Sequence, residues 1–389
     1  ADIFAFGNLD NNGRPFFSRR IGLSSSGNPV DLEVGGKISG RVGRFNVGAL
    51  AIRQDEYPGV AADTATVARV SANILQESTV GFIATEGDPR SNTDNSVQGV
   101  DFYYRNTRLP GGKLFETNAW YQQSDTPGIT DNDKAYGYRI TSPNNVGFRG
   151  GVIYSYIGDN FNPALGFVNR SGIRQWRYGV QYTARPRDRY VREILTGFFG
   201  EYVENIATGQ LETRRLRLRL AELQTLSGDE LEFRHTFRTE VLTSGFEISD
   251  GIVIPTGSYD FDETSLDVST GNQRRISGGF SLQSGDFYNG TRDEIGVQLA
   301  WRPSGRFFTS LSYRYNDIEV IDVNNLLRQF ETRLVSYRTE LAFSSTLSWT
   351  TLIQYDNISE TIGVNSRVQW IPQAGREAFL LSLIHISEP

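Results

Sequence analysis

Leu216, Leu218 and Leu220 alternate with Arg215, Arg217 and Arg219. A strand points successive side chains to opposite faces, so this alternation gives one apolar and one charged face. The following segment repeats it: Leu231, Phe233, Phe237 and Val241 hold one parity, and Glu230, Glu232, Arg234, Arg238 and Glu240 the other. Ile295, Val297, Leu299 and Trp301 share a parity, as do Phe307, Leu311, Tyr313 and Tyr315. Leu347, Trp349, Ile353 and Tyr355 continue the series, followed by Ile362, Val364, Val368 and Trp370. The pattern predicts antiparallel strands of about ten residues along nearly the whole chain.

Turn chemistry separates them. Short connections rich in Gly, Pro, Asn, Asp and Ser fall at 43–44, 76–78, 110–113, 143–145, 186–189, 227–230, 270–273, 303–305, 344–346 and 372–375. Longer polar stretches alternate with them at 55–63, 87–95, 124–133, 158–172, 204–209, 244–257, 285–292, 317–328 and 356–360. A propeller, with four strands per blade, does not sort its loops this way. Consecutive hairpins with short turns at one end and long loops at the other are the layout of outer-membrane barrels. Residues 16–23 are read as a first strand and 24–30 as the first outer loop. The expectation is an all-β, large antiparallel transmembrane β-barrel of roughly 20–22 strands, a hairpin meander truncated at both ends.

Composition narrows the alternatives. The 389 residues carry a net charge of -6, with 38% hydrophobic and 12% aromatic positions, among them Tyr 18 and Phe 24. No long uncharged apolar run is present, which excludes a helical membrane protein but not a barrel, where only every second residue meets lipid. The aromatic excess suits either interfacial girdles or a large soluble β core. Scattered signs with a slight acidic balance argue against a nucleic-acid partner. Cysteine is absent, so neither a disulfide nor a thiolate metal site is possible. The chain lacks an initiating methionine and a signal-peptide layout, which reads as an internal fragment with residues 1–14 leading in from an upstream domain. The closing LSLIHISEP at 381–389 resembles translated sequencing-library adapter, leaving 15–380 as the barrel.

Several strings resemble an uncharacterised family of bacterial outer-membrane proteins (domain of unknown function 5916). They are PFFSRRIGL at 15–23, GGKISGRVGRFNVGAL at 35–50 and FNPALGFVNRSGIR at 161–174. TGNQRRISGGFSLQSGDFYNGTR at 270–292, LSWTTLIQYDN at 347–357 and GVNSRVQWIP at 363–372 follow in order. The likeness extends over residues 1–380. It implies a barrel that follows a periplasmic domain similar to family-nine carbohydrate-binding modules, with outer-membrane lipid and carbohydrate as partners. It supplies no catalytic residue.

Candidate chemistry is sparse. With His385 in the adapter-like tail, His235 is the one remaining histidine, on the parity of Phe233 and Phe237, where a Ser–His–acid triad has no use for it. Paired acids are explained by cross-strand ion pairing with the arginines of the neighbouring strand. Residues 10–13 (DNNG) and 130–133 (TDND) lack the spacing and closing glutamate of a calcium loop. No catalytic group, cofactor or metal is expected. The charged parity nominates lumen-lining residues: Arg177, Arg215, Arg217, Arg219, Glu232, Arg234, Arg238, Arg314 and Arg367. Such a wall is either hydrated and open to polar solutes or cross-braced and shut. Asp159, Asn160, Phe161 and Asn162 are candidate contacts on an outer loop, which either stays exposed or folds inward as a constriction. The leading expectation is a pore or membrane anchor serving a periplasmic carbohydrate-recognition module. An outer-membrane hydrolase acting on lipid or glycan and a soluble secreted β-repeat adhesin are the alternatives.

Overall fold

The computed structural model describes residues 3–9, 12–373 and 375–387. Its first strands are β1 (Leu32–Val42), β2 (Phe45–Gln54), β3 (Asp63–Ile74), β4 (Ser78–Glu86), β5 (Ser96–Leu109) and β6 (Lys113–Asp125). Next come β7 (Lys134–Ser142), β8 (Gly147–Ile157), β9 (Ile173–Ala184), β10 (Val191–Asn205), β11 (Leu211–Thr225) and β12 (Glu230–Leu242). After β13 (Phe246–Ser249) and β14 (Ile252–Ile254) the chain forms β15 (Gly257–Ser269), β16 (Ile276–Phe287) and β17 (Gly290–Ser304). It ends with β18 (Phe307–Ile321), β19 (Leu327–Ala342), β20 (Leu347–Asp356), β21 (Thr361–Gln373) and β22 (Arg376–Ser387). Among the described residues the only helical turns are two three-residue 3-10 turns, Ser18–Arg20 and Pro110–Gly112, and no helix is long and apolar enough to cross a membrane.

The sheet has 20 strands, and β13 and β14 pair separately. The registers are antiparallel between sequence neighbours from β1–β2 to β7–β8 and from β15–β16 to β21–β22, and β12 pairs antiparallel with β15 across the β13–β14 hairpin. The all-β meander follows from the period-two pattern. At the β1–β2 connection Gly43 takes φ 60°, a left-handed conformation that glycine adopts without steric cost.

Two expectations are corrected. Residues 16–23 do not form a strand: they hold the turn Ser18–Arg20 and a single bridge from Leu23 to Pro29. The sheet therefore begins at Leu32, and residues 15–31 lie outside it. Nor is 285–292 a long loop. Strands β16 and β17 run on through Gly285↔Arg292 and Phe287↔Gly290, leaving Tyr288 and Asn289 as the whole turn. Tyr288 turns with φ 54°, and its ring packs on Tyr259 and Phe261 at 5.5 and 5.3 Å. That aromatic contact offsets the backbone strain of a bulky residue in the left-handed region.

Two compact units are distinguished: Ala1–Val180 with Gly200–Thr213, and Gln181–Phe199 with Arg214–Pro389. The first has a hydrophobic cluster in which Phe4, Phe6, Phe161 and Leu165 meet Val67, Ile83, Val97, Trp120 and Ile157 from one face of its strands. In the second, the buried apolar residues among those described are few: Leu195, Ile254, Phe261 and Val320.

Candidate functional site: two opposed faces of the sheet

Directly opposed residues of an antiparallel pair share a face, so the registers show which side chains meet. On the polar face of the second unit Arg219 spans Glu232 (2.9 Å) and Glu222 (3.1 Å). Arg234 sits between Glu232 (3.6 Å) and Asp267 (2.5 Å). Glu263 takes Arg292 at 3.1 Å and Arg238 at 3.9 Å, and Gln283 Nε2 donates to it at 2.8 Å. Of the expected wall residues, the structure thus gathers Arg219, Glu232 and Arg234 into one cluster and places Arg238 in a second, around Glu263. Arg314 pairs apart with Glu294 (3.5 Å) and Arg367 with Glu377 (2.6 Å). Arg215 lies over the Phe199 ring at 5.9 Å, and Arg217 is half-buried on the same strand. Glu222 and Asp267 complete the first cluster and Glu263 and Arg292 the second; none of the four was among the expected residues. Alternation puts Glu263, Asp267 and Arg292 on the charged parity of their own strands, but which arginine or glutamate each one meets is set by register, and Glu222 lies off the parity of Arg219.

The opposite face carries an unbroken apolar row. Leu231, Val268, Phe280, Val297, Tyr313, Val335, Tyr355 and Ile362 stand directly opposite one another in succession across β12 and β15 to β21. The exposures are inverted relative to a water-soluble sheet. Leu299 and Val297 are 56% and 38% exposed, whereas the side chains of Glu232 and Glu263 are 14% and 17% exposed.

The apolar rows have limits. Toward the long connections they end on a polar row, His235, Thr264, Ser284, Asp293, Asp317 and Glu331, again directly opposed from strand to strand. Toward the short turns they end on Trp301, Trp349 and Trp370, all exposed and each within a few residues of its turn. At one of the short turns Asp229 is held below the usual carboxylate range by the Gly271 N–H, and further by Ser227 and Arg274.

In the first unit one face is covered. Phe4 and Phe6 lie in its hydrophobic cluster. Gly7 N donates to Asp101 Oδ2 (3.1 Å), Gln122 Nε2 donates to the Gly13 carbonyl, and Gly22 N donates to Gln54 Oε1 (2.7 Å). The long 158–172 connection folds onto the same face. Its Phe161 is 4% exposed and is therefore no outer contact. Asp159 and Asn162 remain exposed, and Asn160 donates to the Asp131 carbonyl (3.0 Å). Arg177 lines, with Gln175, Glu201, Asn118 and Trp120, a cavity of about 270 Å³ that Gly7, Asn8, Leu9 and Asn12 also border.

The catalytic alternatives gain little from this geometry. His235 Nδ1 is 2.9 Å from Thr264 Oγ1, and its ring stands edge-on to Phe237 at 4.5 Å, on the apolar face as the parity requires. Asp10 and Asn11 of the DNNG stretch lie outside the described residues, and Asn132 of the TDND stretch has φ 53° in an exposed turn. Glu222, Glu230 and Glu232 converge closely enough to hold a cation, but Arg219 already bridges two of them. In comparisons with known proteins, the chain matches no family model and no curated protein.

Proposed function

We propose that this chain is the barrel portion of a Gram-negative outer-membrane protein, with the apolar rows facing lipid and the ion-paired face enclosing a hydrated lumen. The observation that carries the reading is the inverted exposure in the second unit: the large apolar side chains of the row from Leu231 to Ile362 lie open while Glu232, Glu263, Arg234 and Arg238 are withdrawn. A soluble sheet that left those rows uncovered would expose an apolar patch far larger than monomers tolerate. Hydrocarbon is the cover that fits a face with a polar row at one limit and tryptophans at the other. From Asp293 to Trp301 the strand rises about 26 Å at ~3.3 Å per residue. With strands tilted 35–45°, the apolar band would be about 20 Å tall, of the order found in outer-membrane barrels.

Within that class the function we propose is a pore or anchor, without catalysis, serving a periplasmic carbohydrate-recognition module. The resemblance stated for the sequence motivates that partner. The wet, ion-paired face favours the pore. The covered face of the first unit favours an anchor, or a pore with a closed resting state.

Refolding tests the class first. A barrel enters detergent micelles or vesicles, resists extraction into buffer and migrates anomalously on gels when unboiled. Quantitative extraction into buffer favours the secreted adhesin and removes the reading. Planar-bilayer recording of refolded protein then separates pore from anchor. Replacing His235 with Ala and finding a detected hydrolysis unchanged eliminates the histidine version of the enzyme.

A further inference from the structure

We infer that residues 3–9 and 12–23 are a built-in plug, seated on the 158–172 connection, which closes the polar face of the first unit to solute and opens by undocking from it. The inference rests on the pore reading above and adds a gate to it.

The sheet is cut away where the segment lies. A Cβ at Gly48 would stand 2.7 Å from Ile3, and one at Gly99 would stand 2.8 Å from the Phe6 ring. The seat is equally specific. Asn12 Nδ2 donates to the Arg170 carbonyl (2.9 Å), and its Oδ1 accepts from the backbone N–H of Asn169 (2.8 Å) and Arg170 (3.2 Å). Arg14 and Phe167 exchange backbone hydrogen bonds of 2.9 Å in both directions. Phe17 N donates to the Leu165 carbonyl (2.8 Å), and Arg20 Nε donates to that of Gly166 (2.8 Å).

What the segment covers differs from an ordinary core. Alongside Val67 and Val97 the face carries Gln54, Asn118, Gln122 and Ser124, all buried, and the Arg69–Asp101 ion pair (2.7 Å). Water can take over the bonds these groups lose on undocking, so a hydrated wall survives removal of the plug in a way that a dry core does not. Phe4 and Phe6 are the segment's buried apolar anchors, with Ile3, Leu9, Phe16 and Ile21 partly buried beside them, so the docking can be weakened from the segment's side without altering a strand.

The chain has no cysteine, which permits a clean test. In Val67→Cys protein, a membrane-impermeant maleimide should label slowly, and the added pair Phe4→Asp and Phe6→Asp should raise the rate at least tenfold. In proteoliposomes the same pair should raise glucose efflux by a similar factor. Gly166→Ala, whose Cβ would fall 2.0 Å from the Arg14 carbonyl oxygen, should raise both more weakly, and it leaves the sheet untouched if the aspartates prevent folding. The pair Arg14→Cys and Phe167→Cys suits a disulfide, since a hydrogen-bonded antiparallel pair has Cα atoms about 5.5 Å apart. Oxidation should suppress efflux, and reductant should restore it. Protein that inserts and migrates as a barrel, yet labels and leaks equally in every variant, overturns the plug alone. Protein that does not insert overturns the pore reading and the plug with it.

Discussion

Arg69 on β3 reaches across Gly81 of β4 to Asp101 on β5, Nη1 to Oδ1 at 2.7 Å and Nη2 to Oδ2 at 2.9 Å. A Cβ at Gly81 would stand 2.6 Å from the guanidinium, so the glycine makes the passage. Phe6 closes the pair from above, its ring centroid 5.4 Å from Arg69 Cζ, and both side chains are nearly buried.

Breaking a buried pair from one side strands a charge. Asp101→Asn should therefore lower stability by about 3–5 kcal/mol, whereas the double change Arg69→Met with Asp101→Leu should recover most of the loss. Gly81→Ala should cost about 1–3 kcal/mol through overpacking. Denaturant unfolding in detergent micelles measures all three; an unchanged midpoint for Asp101→Asn sinks the argument.

The turn between β18 and β19 is organised by one carboxylate. Arg328 Nε donates to Asp322 Oδ2 (2.8 Å), and the backbone N–H groups of Leu326 (3.0 Å) and Asn324 (2.8 Å) donate to Oδ1. These bonds, with Arg328 foremost, hold its pKa down at about 2 against an ordinary 3.8. A depressed folded pKa means that the stabilisation is complete above about pH 4 and is lost as pH falls toward 2. Asp322→Asn should accelerate pepsin cleavage within 322–326 relative to the wild type at pH 4, and the ratio should approach one near pH 2. A ratio that does not change with pH removes the linkage.

Much of this architecture is legible in the chain. The alternation of Leu231, Phe233 and Phe237 with Glu232, Arg234 and Arg238 fixes both faces of β12, and Gly or Pro marks most of the short turns. What escapes is non-local. Residues 16–23 have strand-like composition, but the N–H of Phe17 goes to Leu165, those of Arg20 and Ile21 to Phe17 and Ser18, and that of Gly22 to the Gln54 side chain instead of a ladder. Tyr288–Asn289 lacks the glycine that advertises a tight hairpin, and its conformation is secured by Phe261 and Tyr259 from another strand. Phe161 sits in a polar-looking loop, so only its place in the cluster with Phe4 and Phe6 reveals that it is core. The ion-pair network is half legible: parity supplies Arg219 and Glu232, whereas the register needed to add Asp267 and Glu263 is tertiary information.

If the apolar rows meet hydrocarbon, position along the strand decides tolerance. Val297→Arg, in the middle of the row from Leu231 to Ile362, should cost about 2–4 kcal/mol in vesicles, while Gln298→Arg on the polar face should be nearly neutral. Unfolding of vesicle-inserted protein reads the difference. Equal costs at the two positions contradict the face assignment.

Tryptophan depth gives the last check, and it needs no unfolding. Trp301, Trp349 and Trp370 stand at the short-turn limit of the apolar rows, while Trp120 is 6% exposed beneath the N-terminal segment. Amphipathic indoles settle at headgroup level. In variants retaining a single tryptophan, lipids brominated near the headgroup should quench the first three more strongly than lipids brominated at the chain ends. Trp120 should be quenched by neither. Equal quenching of Trp120 and Trp349 would mean that the face carrying Trp120 also meets lipid, and the assignment of the covered face would fail.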